Sequence, residues 1–365
     1  MERIAELAEP TLREDLQDRV ASALDISPVL VTVERYETGA SGWILFCGGV
    51  AAGRRFFAKV FLVDPYPMPP RFATPAEELA VPELPKRPVA AHIVAERNMV
   101  QKMRALAGTR NVPVVLGYSV GSRTLVFEEV GGLRMDRFVN WAWPNEHKMR
   151  SVQTAMFQAG AWLRTLHDSS LQGYETVDLA GTVAALRELA DRRKLDGTPY
   201  GERAHDVLES AVDKLRPQTC LRVPVALNHG DFSLPNLIWD DVREQLWVVD
   251  FELSSYRPIL HDLCTMLFTL WHPLLRPLTL ARVVQLLEGP FWQGYGPVPE
   301  DIRTLANGLA CARLFYHSLP RVSTLRERHG WKGAVKATLY KSLFQRYMIA
   351  RVLQAQRRDE QRTTE

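Results

Sequence analysis

The pattern of hydrophobic and polar positions predicts a strand-rich amino-terminal part followed by a mostly helical part. Alternating apolar residues indicate strands at 29–37, 43–47, 54–61, 112–120 and 123–130. Apolar residues at helical spacing indicate helices at 11–24, 89–106, 149–168, 177–193 and 201–215. The first helix is predicted to begin with a capping box, formed by Thr11 and Glu14. A fold that mixes α and β structure follows from this order.

Two segments depart from this pattern. Residues 64–88 are dense in proline, which disfavours helix and sheet and predicts a mobile surface loop. Residues 260–280 form the longest apolar run, but polar residues such as His261 and Asp262 interrupt it. A buried helix is therefore favoured over a membrane span, which needs about twenty largely apolar residues in a row.

The most informative stretch is residues 227–252, with the sequence LNHGDFSLPNLIWDDVREQLWVVDFE. Its apolar pieces, 237–239 and 246–249, predict two short strands around a polar turn at 240–245. Such a hairpin brings the residues before its first strand close to the residues after its second strand.

Three polar residues of this stretch, Asp231, Asn236 and Asp250, are predicted to meet at one place. Phosphoryl transfer needs such a set, because a carboxylate accepts the proton of the attacking hydroxyl and oxygen ligands hold magnesium on the phosphates. Each residue alone is also common in turns, so a structural role is the alternative for any one of them. Their combination at this spacing favours a phosphoryl-transfer site.

A glycine turn lies between the first two predicted strands. Gly39, Ser41 and Gly42 belong to the sequence Thr-Gly-Ala-Ser-Gly at 38–42. Glycine lets backbone N–H groups approach phosphate oxygens closely, which makes this turn a candidate for nucleotide binding. An ordinary hairpin turn is the alternative interpretation.

A lysine and a glutamate are candidates for an ion pair beside the nucleotide. Lys59 is the single cation among apolar neighbours in the second half of the predicted strand 54–61. Glu96 is the only acid of the predicted helix 89–106 and is assigned as its partner. Lys59 would then contact the nucleotide phosphates. The alternatives are an exposed strand lysine and an exposed helical glutamate.

Several further residues are predicted to support the site or the core. His229 and Asp262 are expected to brace the loop that carries Asp231, and Asp262 is also expected to cap the helix that follows it. His167 is expected to pack at a helix end. Most aromatic residues of the carboxy-terminal part are expected in the core, namely Trp271, Phe291, Trp292, Tyr295, Phe315, Tyr316 and Trp331.

Composition and charge narrow the class of protein. The 365 residues are 46% hydrophobic and carry a formal net charge of +3, which does not indicate nucleic-acid binding. The four cysteines, Cys47, Cys220, Cys264 and Cys311, form no Cys-x-x-Cys pair. This disfavours zinc or a disulfide framework and favours a reducing, cytoplasmic location. The charged first residues do not resemble a signal peptide.

These motifs together resemble the aminoglycoside phosphotransferase and choline kinase superfamily over about residues 25–270. The specific part is the block HGDFSLPN followed by VVDFE, and the glycine turn, Lys59, Glu96 and Leu166-His167 agree with it in order. The resemblance implies an α+β, bilobal protein-kinase-like fold. Its small β-rich lobe would take residues 1–130, and its larger, mostly helical lobe would take residues 131–365.

The same resemblance implies transfer of the γ-phosphate of ATP, with Mg²⁺, to the hydroxyl group of a small molecule. By matching position, Asp231 is the catalytic base, and Asn236 and Asp250 hold magnesium. Lys59 would bind the α- and β-phosphates, and Glu96 would orient Lys59.

The end of the predicted strand 123–130 resembles a kinase hinge, since an extended segment runs there into Gly131. The Glu128 carbonyl and the Val130 amide are the groups that would bond the edge of adenine. The proline-rich segment is not part of the family pattern, which weakens the assignment of the ion-pair glutamate.

The region after Asp250 forms the acceptor site in this superfamily. Residues 251–365 contain sixteen lysines and arginines and nine acids, a formal charge of +7, and much of it falls in a predicted last helix at 332–362. A polycationic aminoglycoside calls for carboxylates, so a neutral or anionic sugar or polyol is favoured. A choline-like acceptor stays open, because the aromatic residues that a cation cage needs are present.

Two other classes of function are the alternatives. A catalytically idle nucleotide-binding scaffold is disfavoured because every catalytic position is filled. A protein kinase is disfavoured because Asp250 is followed by Phe251-Glu252 in place of Phe-Gly and no Ala-Pro-Glu-like motif comes after it.

Overall fold

The computed structural model describes residues 9–39, 42–67, 86–108, 110–142, 146–182, 184, 220–271 and 281–310. Packing divides these residues into two units. The first unit takes the described residues of Met1–Pro70, Pro82–Phe138 and Pro235–Ser254, and the second takes those of Val139–Leu234 and Ser255–Glu365.

The described chain contains both helices and strands. The helices are α1 (Glu9–Leu24), α2 (Val89–Ala107), α3 (Met135–Ala142), α4 (Glu146–Ser169), α5 (Leu260–Trp271) and α6 (Ala281–Tyr295). Residues 300–310 are also helical, and Pro28–Leu30 and Leu234–Asn236 form short 3₁₀ turns. The strands are β1 (Val31–Thr38), β2 (Ile44–Ala51), β3 (Arg54–Phe61), β4 (Tyr66–Pro67), β5 (Lys86–Arg87), β6 (Val115–Ser119), β7 (Thr124–Glu128), β8 (Leu133–Arg134), β9 (Gly173–Asp178), β10 (Cys220–Asn228), β11 (Leu237–Asp240), β12 (Gln245–Val248) and β13 (Ser255–Pro258).

The first unit is built on a five-stranded antiparallel sheet in the order β1-β2-β3-β7-β6. In β1, Val31 and Val33 are buried while Thr32 and Glu34 are exposed, which is the alternation expected of a half-buried strand. Helix α1 packs against this sheet. The two share one apolar core, whose members include Leu12, Leu16, Val20, Val33, Phe56, Val60 and Val126.

The hairpin of the 227–252 stretch also belongs to the first unit. Strand β11 pairs with β12 on one side and with β8 on the other. The Asn111 side chain donates to the Leu246 carbonyl oxygen at 2.7 Å, and the backbone carbonyl oxygen of Asn111 accepts from the Val248 N–H at 2.8 Å. Packing therefore differs from the predicted division of the chain at residue 130, because these contacts hold residues 235–254 with the first unit.

The second unit contains a three-stranded sheet, in the order β13-β10-β9, and closely packed helices. Helices α4 and α6 touch where each carries a glycine. A side chain at Gly160 would clash with the backbone of Phe291, and a side chain at Gly294 would clash with the backbone of Phe157. The helix predicted at 149–168 is present as α4, and its apolar face is buried at Met156, Ala159, Trp162, Leu163 and Leu166.

The predicted buried helix in the apolar run 260–280 is present as α5, which is buried over most of its length. The rest of that run, 272–280, lies outside the described residues. None of the described helices combines the length and the apolar character that a membrane span requires.

Three predictions of local structure are wrong. Helix α1 already includes Glu9 and Pro10, so Thr11 lies inside the helix and does not cap it. The helix predicted from residue 177 is wrong at its start, because residues 177 and 178 end β9 and pair with β10. The ends of the proline-rich segment are not free of sheet structure, because β4 pairs with β5.

Other predictions fall outside the described residues. These are most of the proline-rich segment at 68–85, the helix at 201–215, the last helix at 332–362, and the core positions of Phe315, Tyr316 and Trp331. The remaining aromatic residues of that set, Trp271, Phe291, Trp292 and Tyr295, are buried as predicted.

Candidate active site

Lys59 and Glu96 form a buried ion pair in the first unit. Strand β3 pairs with β2 on one side and with β7 on the other, which places Lys59 in the interior of the sheet at 5% exposure. Glu96 lies on α2 and is 2% exposed. Lys59 Nζ donates to Glu96 Oε1 at 2.6 Å. The structure thus joins the two residues that the sequence analysis paired.

Asp250 is the second partner of this lysine. Lys59 Nζ also lies 2.5 Å from Asp250 Oδ1. Asp250 has a φ of +71°, a left-handed conformation that is uncommon for residues other than glycine and is often found at functional positions. The carbonyl of Asn236 accepts a hydrogen bond from the Val249 N–H at 3.0 Å. The two predicted metal ligands, Asn236 and Asp250, therefore lie on adjoining backbone segments.

The surrounding carboxylates keep Lys59 charged. Burial by itself would lower the pKa of Lys59, but Asp250, Glu96 and Glu252 outweigh burial and hold this pKa well above its ordinary value. Burial raises the pKa of Glu96, Lys59 opposes that rise, and the other two carboxylates add to it. The result is a fixed ammonium group beside a cluster of acids.

Asp231 lies in the second unit, on a loop at the end of β10 whose backbone is held by Asp262. Asp262 Oδ2 accepts a hydrogen bond from the His229 N–H at 2.6 Å, and Oδ1 accepts one from the Gly230 N–H at 2.9 Å. His229 Nδ1 in turn accepts from the Asp231 N–H at 3.3 Å. The predicted bracing by His229 and Asp262 is present. The predicted capping role of Asp262 is wrong, because Asp262 lies inside the first turn of α5 and its carboxylate is used by the loop.

His261, which was not predicted to support the site, holds the same loop through the Gly230 carbonyl. His261 Nε2 lies 2.7 Å from the Gly230 carbonyl oxygen. A carbonyl only accepts, so this nitrogen carries a proton and donates it. The Arg257 guanidinium lies against the His261 ring, 3.1 Å from Nε2. His261 and Asp262 therefore hold both the carbonyl and the N–H group of Gly230. Because His261 directly precedes Asp262, the predicted bracing by Asp262 was the one sequence signal that pointed to His261.

A buried polar path leads away from Asp262. His167 Nε2 lies 3.5 Å from Asp262 Oδ2, and His167 Nδ1 shares a hydrogen bond with the Tyr295 hydroxyl at 2.8 Å. Burial by itself would raise the pKa of Asp262, but His167, with His229 and His261, lowers it to about 2. His167 thus packs at its helix end as predicted, and it also stabilises the carboxylate that holds the loop.

The two described glycines of the glycine turn close a hairpin. The Gly39 N–H donates to the Ile44 carbonyl oxygen at 2.8 Å, and the Gly42 N–H donates to the Gly39 carbonyl oxygen at 2.9 Å. Gly42 has a φ of +74°, which favours glycine. Both N–H groups are used by the turn itself, as the hairpin interpretation expects, and Ser41 lies outside the described residues.

The predicted hinge begins where β7 ends. The Glu128 carboxylate accepts from the Val114 N–H at 2.8 Å, and the Glu128 N–H donates to the Val114 carbonyl oxygen at 2.9 Å. The next side chain, Glu129, accepts from Arg55 Nε at 2.5 Å. These contacts fix the backbone that leads to Val130, while the bonding of adenine by this segment stays a prediction.

The model of a family described as the phosphotransferase enzyme family matches residues 52–300. No curated protein matches the chain in sequence.

Two solved structures share the fold. One is a spectinomycin phosphotransferase, APH(9)-Ia, in complex with ADP and spectinomycin, at 12% identity and a TM-score of 0.50, covering 92% of this chain and 97% of that chain. The other is a choline/ethanolamine kinase family protein from Mesorhizobium loti, at 14% identity and a TM-score of 0.50, covering 93% of this chain and 98% of that chain. The predicted α+β, protein-kinase-like fold is confirmed.

Proposed function

The chain belongs to the phosphotransferase enzyme family, and on that basis we propose that it transfers the γ-phosphoryl group of ATP to a hydroxyl group of a small molecule. The observation that carries this proposal is the contact of one buried lysine with two carboxylates, Lys59 Nζ at 2.6 Å from Glu96 and at 2.5 Å from Asp250. Such a lysine, oriented by one acid and adjoining a second, is what phosphate binding beside a metal ion requires.

The residues of the first unit would bind the nucleotide. Lys59 would neutralise the phosphates, and Glu96 would hold the ammonium in place. Asn236 and Asp250 offer amide and carboxylate oxygens, the hard donors that magnesium prefers, and the Asp250 side chain keeps 35% exposure. Magnesium, when bound there, supplies positive charge to the phosphates. The Glu128 carbonyl and the amide of Val130 would bond adenine.

Asp231 would act as the base. Its carboxylate accepts the proton of the acceptor hydroxyl while the hydroxyl oxygen forms a bond to the γ-phosphorus. The bond from that phosphorus to the bridging oxygen breaks, and its electron pair leaves with ADP. The hydrogen bonds of Asp262 and His261 to the loop fix the backbone that presents this carboxylate.

The acceptor is proposed to be neutral or anionic, such as a sugar or polyol. Two of the described acids after Asp250 are already engaged, since Asp262 holds the loop and Glu288 accepts from the indole N–H groups of Trp271 and Trp292 at 3.2 and 3.3 Å. Glu288 is also 6% exposed, so it is a poor partner for a polycationic acceptor.

The direct test follows labelled γ-phosphate from Mg·ATP to a panel of aminoglycosides, choline and ethanolamine, amino sugars, hexoses and polyols. We expect Asp231→Asn to lower kcat by about 10²–10⁴-fold, because an amide cannot accept the hydroxyl proton. ATP affinity, measured by calorimetry, is expected to stay near the wild-type value. Glu244→Gln, an exposed acid in the turn between β11 and β12, serves as the matched control and should keep full activity.

Two outcomes would count against this proposal. Transfer that persists in Asp231→Asn would show that another group takes the proton. Binding of Mg·ATP without a labelled product on any acceptor would favour the idle scaffold.

A further inference from the structure

A second group of polar side chains lies behind Lys59 and is not used by the proposed phosphoryl transfer. His92 and Glu96 are four residues apart on α2, so they lie on one face of the helix, and Glu252 reaches the same point from the chain after Asp250. The side chains of His92 and Glu96 are each 1% exposed, and that of Glu252 is 16% exposed.

The separations within this group suit ligands of one metal ion better than hydrogen bonds. His92 Nε2 lies 3.7 Å from Glu96 Oε2 and 3.5 Å from Glu252 Oε2. Hydrogen bonds between nitrogen and oxygen are shorter, about 2.7–3.2 Å. A zinc ion with bonds of about 2.0–2.2 Å in a tetrahedral arrangement places its ligand atoms about 3.4 Å apart.

Two carboxylate oxygens of the group point into it and accept no hydrogen bond from the described residues. Within the described part of the chain, neither Glu96 Oε2 nor Glu252 Oε2 accepts a hydrogen bond, although both atoms are buried. The other oxygen of Glu96 is held by Lys59 at 2.6 Å, which fixes the direction of the carboxylate. The ring of Phe61 packs edge-on against His92, with 5.1 Å between the ring centroids, and fixes the imidazole.

The charges of this region also point to a cation. The Lys59 ammonium faces the carboxylates of Asp250, Glu96 and Glu252, which leaves a formal charge of −2 when His92 is neutral. Buried charge without compensation is costly. A divalent ion held by Glu96 and Glu252 would offset this charge.

We propose that His92, Glu96 and Glu252 form a binding site for a divalent metal ion of the zinc type, distinct from the magnesium proposed at Asn236 and Asp250. The ligands would be His92 Nε2 and one oxygen of each glutamate, so the proton of the neutral imidazole belongs on Nδ1. The site uses none of the cysteines whose spacing disfavours a zinc framework, and it does not depend on the proposed phosphoryl transfer.

The test is equilibrium dialysis of the full chain against zinc in excess Mg²⁺, with bound metal measured by mass spectrometry. We expect one tightly bound zinc ion per chain. His92→Gln and Glu252→Gln should each weaken that binding at least about a hundredfold, since each removes a ligand outright. His147→Gln, which replaces an exposed histidine of α4, is the matched control and should bind zinc as the wild type does.

Spectra of the cobalt-substituted chain give an independent readout, because tetrahedral Co²⁺ absorbs strongly in the visible. This absorption should appear in the wild type and in His147→Gln and be absent from Glu252→Gln. If His92→Gln fails to fold, Glu252→Gln still tests the site. Failure of the wild type to bind zinc overturns the proposal. Tight zinc retained by both ligand variants overturns it as well. Phosphoryl transfer is measured separately, so the two proposals fail independently.

Discussion

The cluster around Lys59 in the first unit and the loop of residues 229–231 in the second unit differ in how their charged side chains are balanced. Around Lys59, one ammonium faces three carboxylates, and the balance of charge is unequal. Beside the loop, the carboxylate of Asp262 on α5 accepts from two backbone N–H groups of the loop and adjoins His167. The first arrangement is suited to receiving charged ligands, and the second is suited to holding a backbone still.

This difference follows from what each region has to hold. A nucleotide and its metal ion bring charges of both signs, so a region that binds them gains from ionic side chains whose partners change on binding. A base such as Asp231 brings its own charge, and its supporting peptide groups need only hydrogen bonds at fixed positions. Substitutions in the two regions should therefore differ in their effect on folding.

Lys59→Met is expected to have the largest effect. It leaves Glu96 and Glu252 buried beside each other without the ammonium, and we expect the free energy of unfolding to fall by about 3–5 kcal/mol, with loss of transfer. Chemical denaturation measures the first effect, and the labelled-phosphate assay measures the second. Lys102→Met, at an exposed position of the same helix as Glu96, is the control and should change stability little.

The double variant Lys59→Met with Glu96→Gln sharpens this prediction. It removes one of the two stranded carboxylates, so part of the lost stability should return while transfer stays absent. A single Lys59→Met variant as stable as the wild type would contradict the view that the cluster is held by charge.

Asp262→Asn is expected to have the next largest effect. The folded pKa of Asp262 is lowered from 3.8 to about 2, so its carboxylate stabilises the fold above the ordinary pKa and loses this effect as the pH falls from about 4 to about 2. That shift corresponds to about 2 kcal/mol at neutral pH. Unfolding measured across this pH range should show the loss in the wild type and a smaller slope in Asp262→Asn, where the contributions of other carboxylates such as Glu129 remain. A wild-type profile without this slope would show that the loop is not held by an ionised carboxylate.

His261→Leu is expected to have the smallest effect of the three. It removes the donor to the Gly230 carbonyl, and we expect kcat to fall about tenfold with the KM for ATP unchanged, since one buried hydrogen bond contributes about 1.5 kcal/mol or less. His261→Gln keeps an N–H group at a similar reach and should restore most of kcat. Equal kcat values for the leucine variant and the wild type would remove His261 from the positioning of the loop.

Elements with strong local patterns were predictable from the sequence. Strand β3 was predicted at its observed bounds, because apolar and polar residues alternate and Lys59 stands alone among apolar neighbours. Helix α2 ends one residue beyond its predicted range, and its single acid, Glu96, is the partner of the lysine as assigned. A pattern within one segment is therefore enough to predict that segment's secondary structure and its unusual polar residue.

Residues defined by contacts between distant segments were not predictable in the same way. Glu252 meets His92 only because the hairpin of β11 and β12 pairs with β8 in the first unit. The same pairing places residues 235–254 in the first unit, although they follow the predicted boundary at residue 130. Local periodicity contains no signal for such pairing, although the spacing of His92 and Glu96 on one helix face did offer a hint.

Helices α4 and α6 approach so closely at Gly160 and Gly294 that neither position can accept a side chain unless the backbone moves. In evolutionary terms, we expect these two distant positions to be inherited together. Alanine at either glycine would force a helix to shift, and we expect the shift to disturb the contact between Tyr295 on α6 and His167 on α4, and with it the path to Asp262. Descendants that keep this path are expected to keep both glycines, and those that have lost one are expected to have released the other to vary.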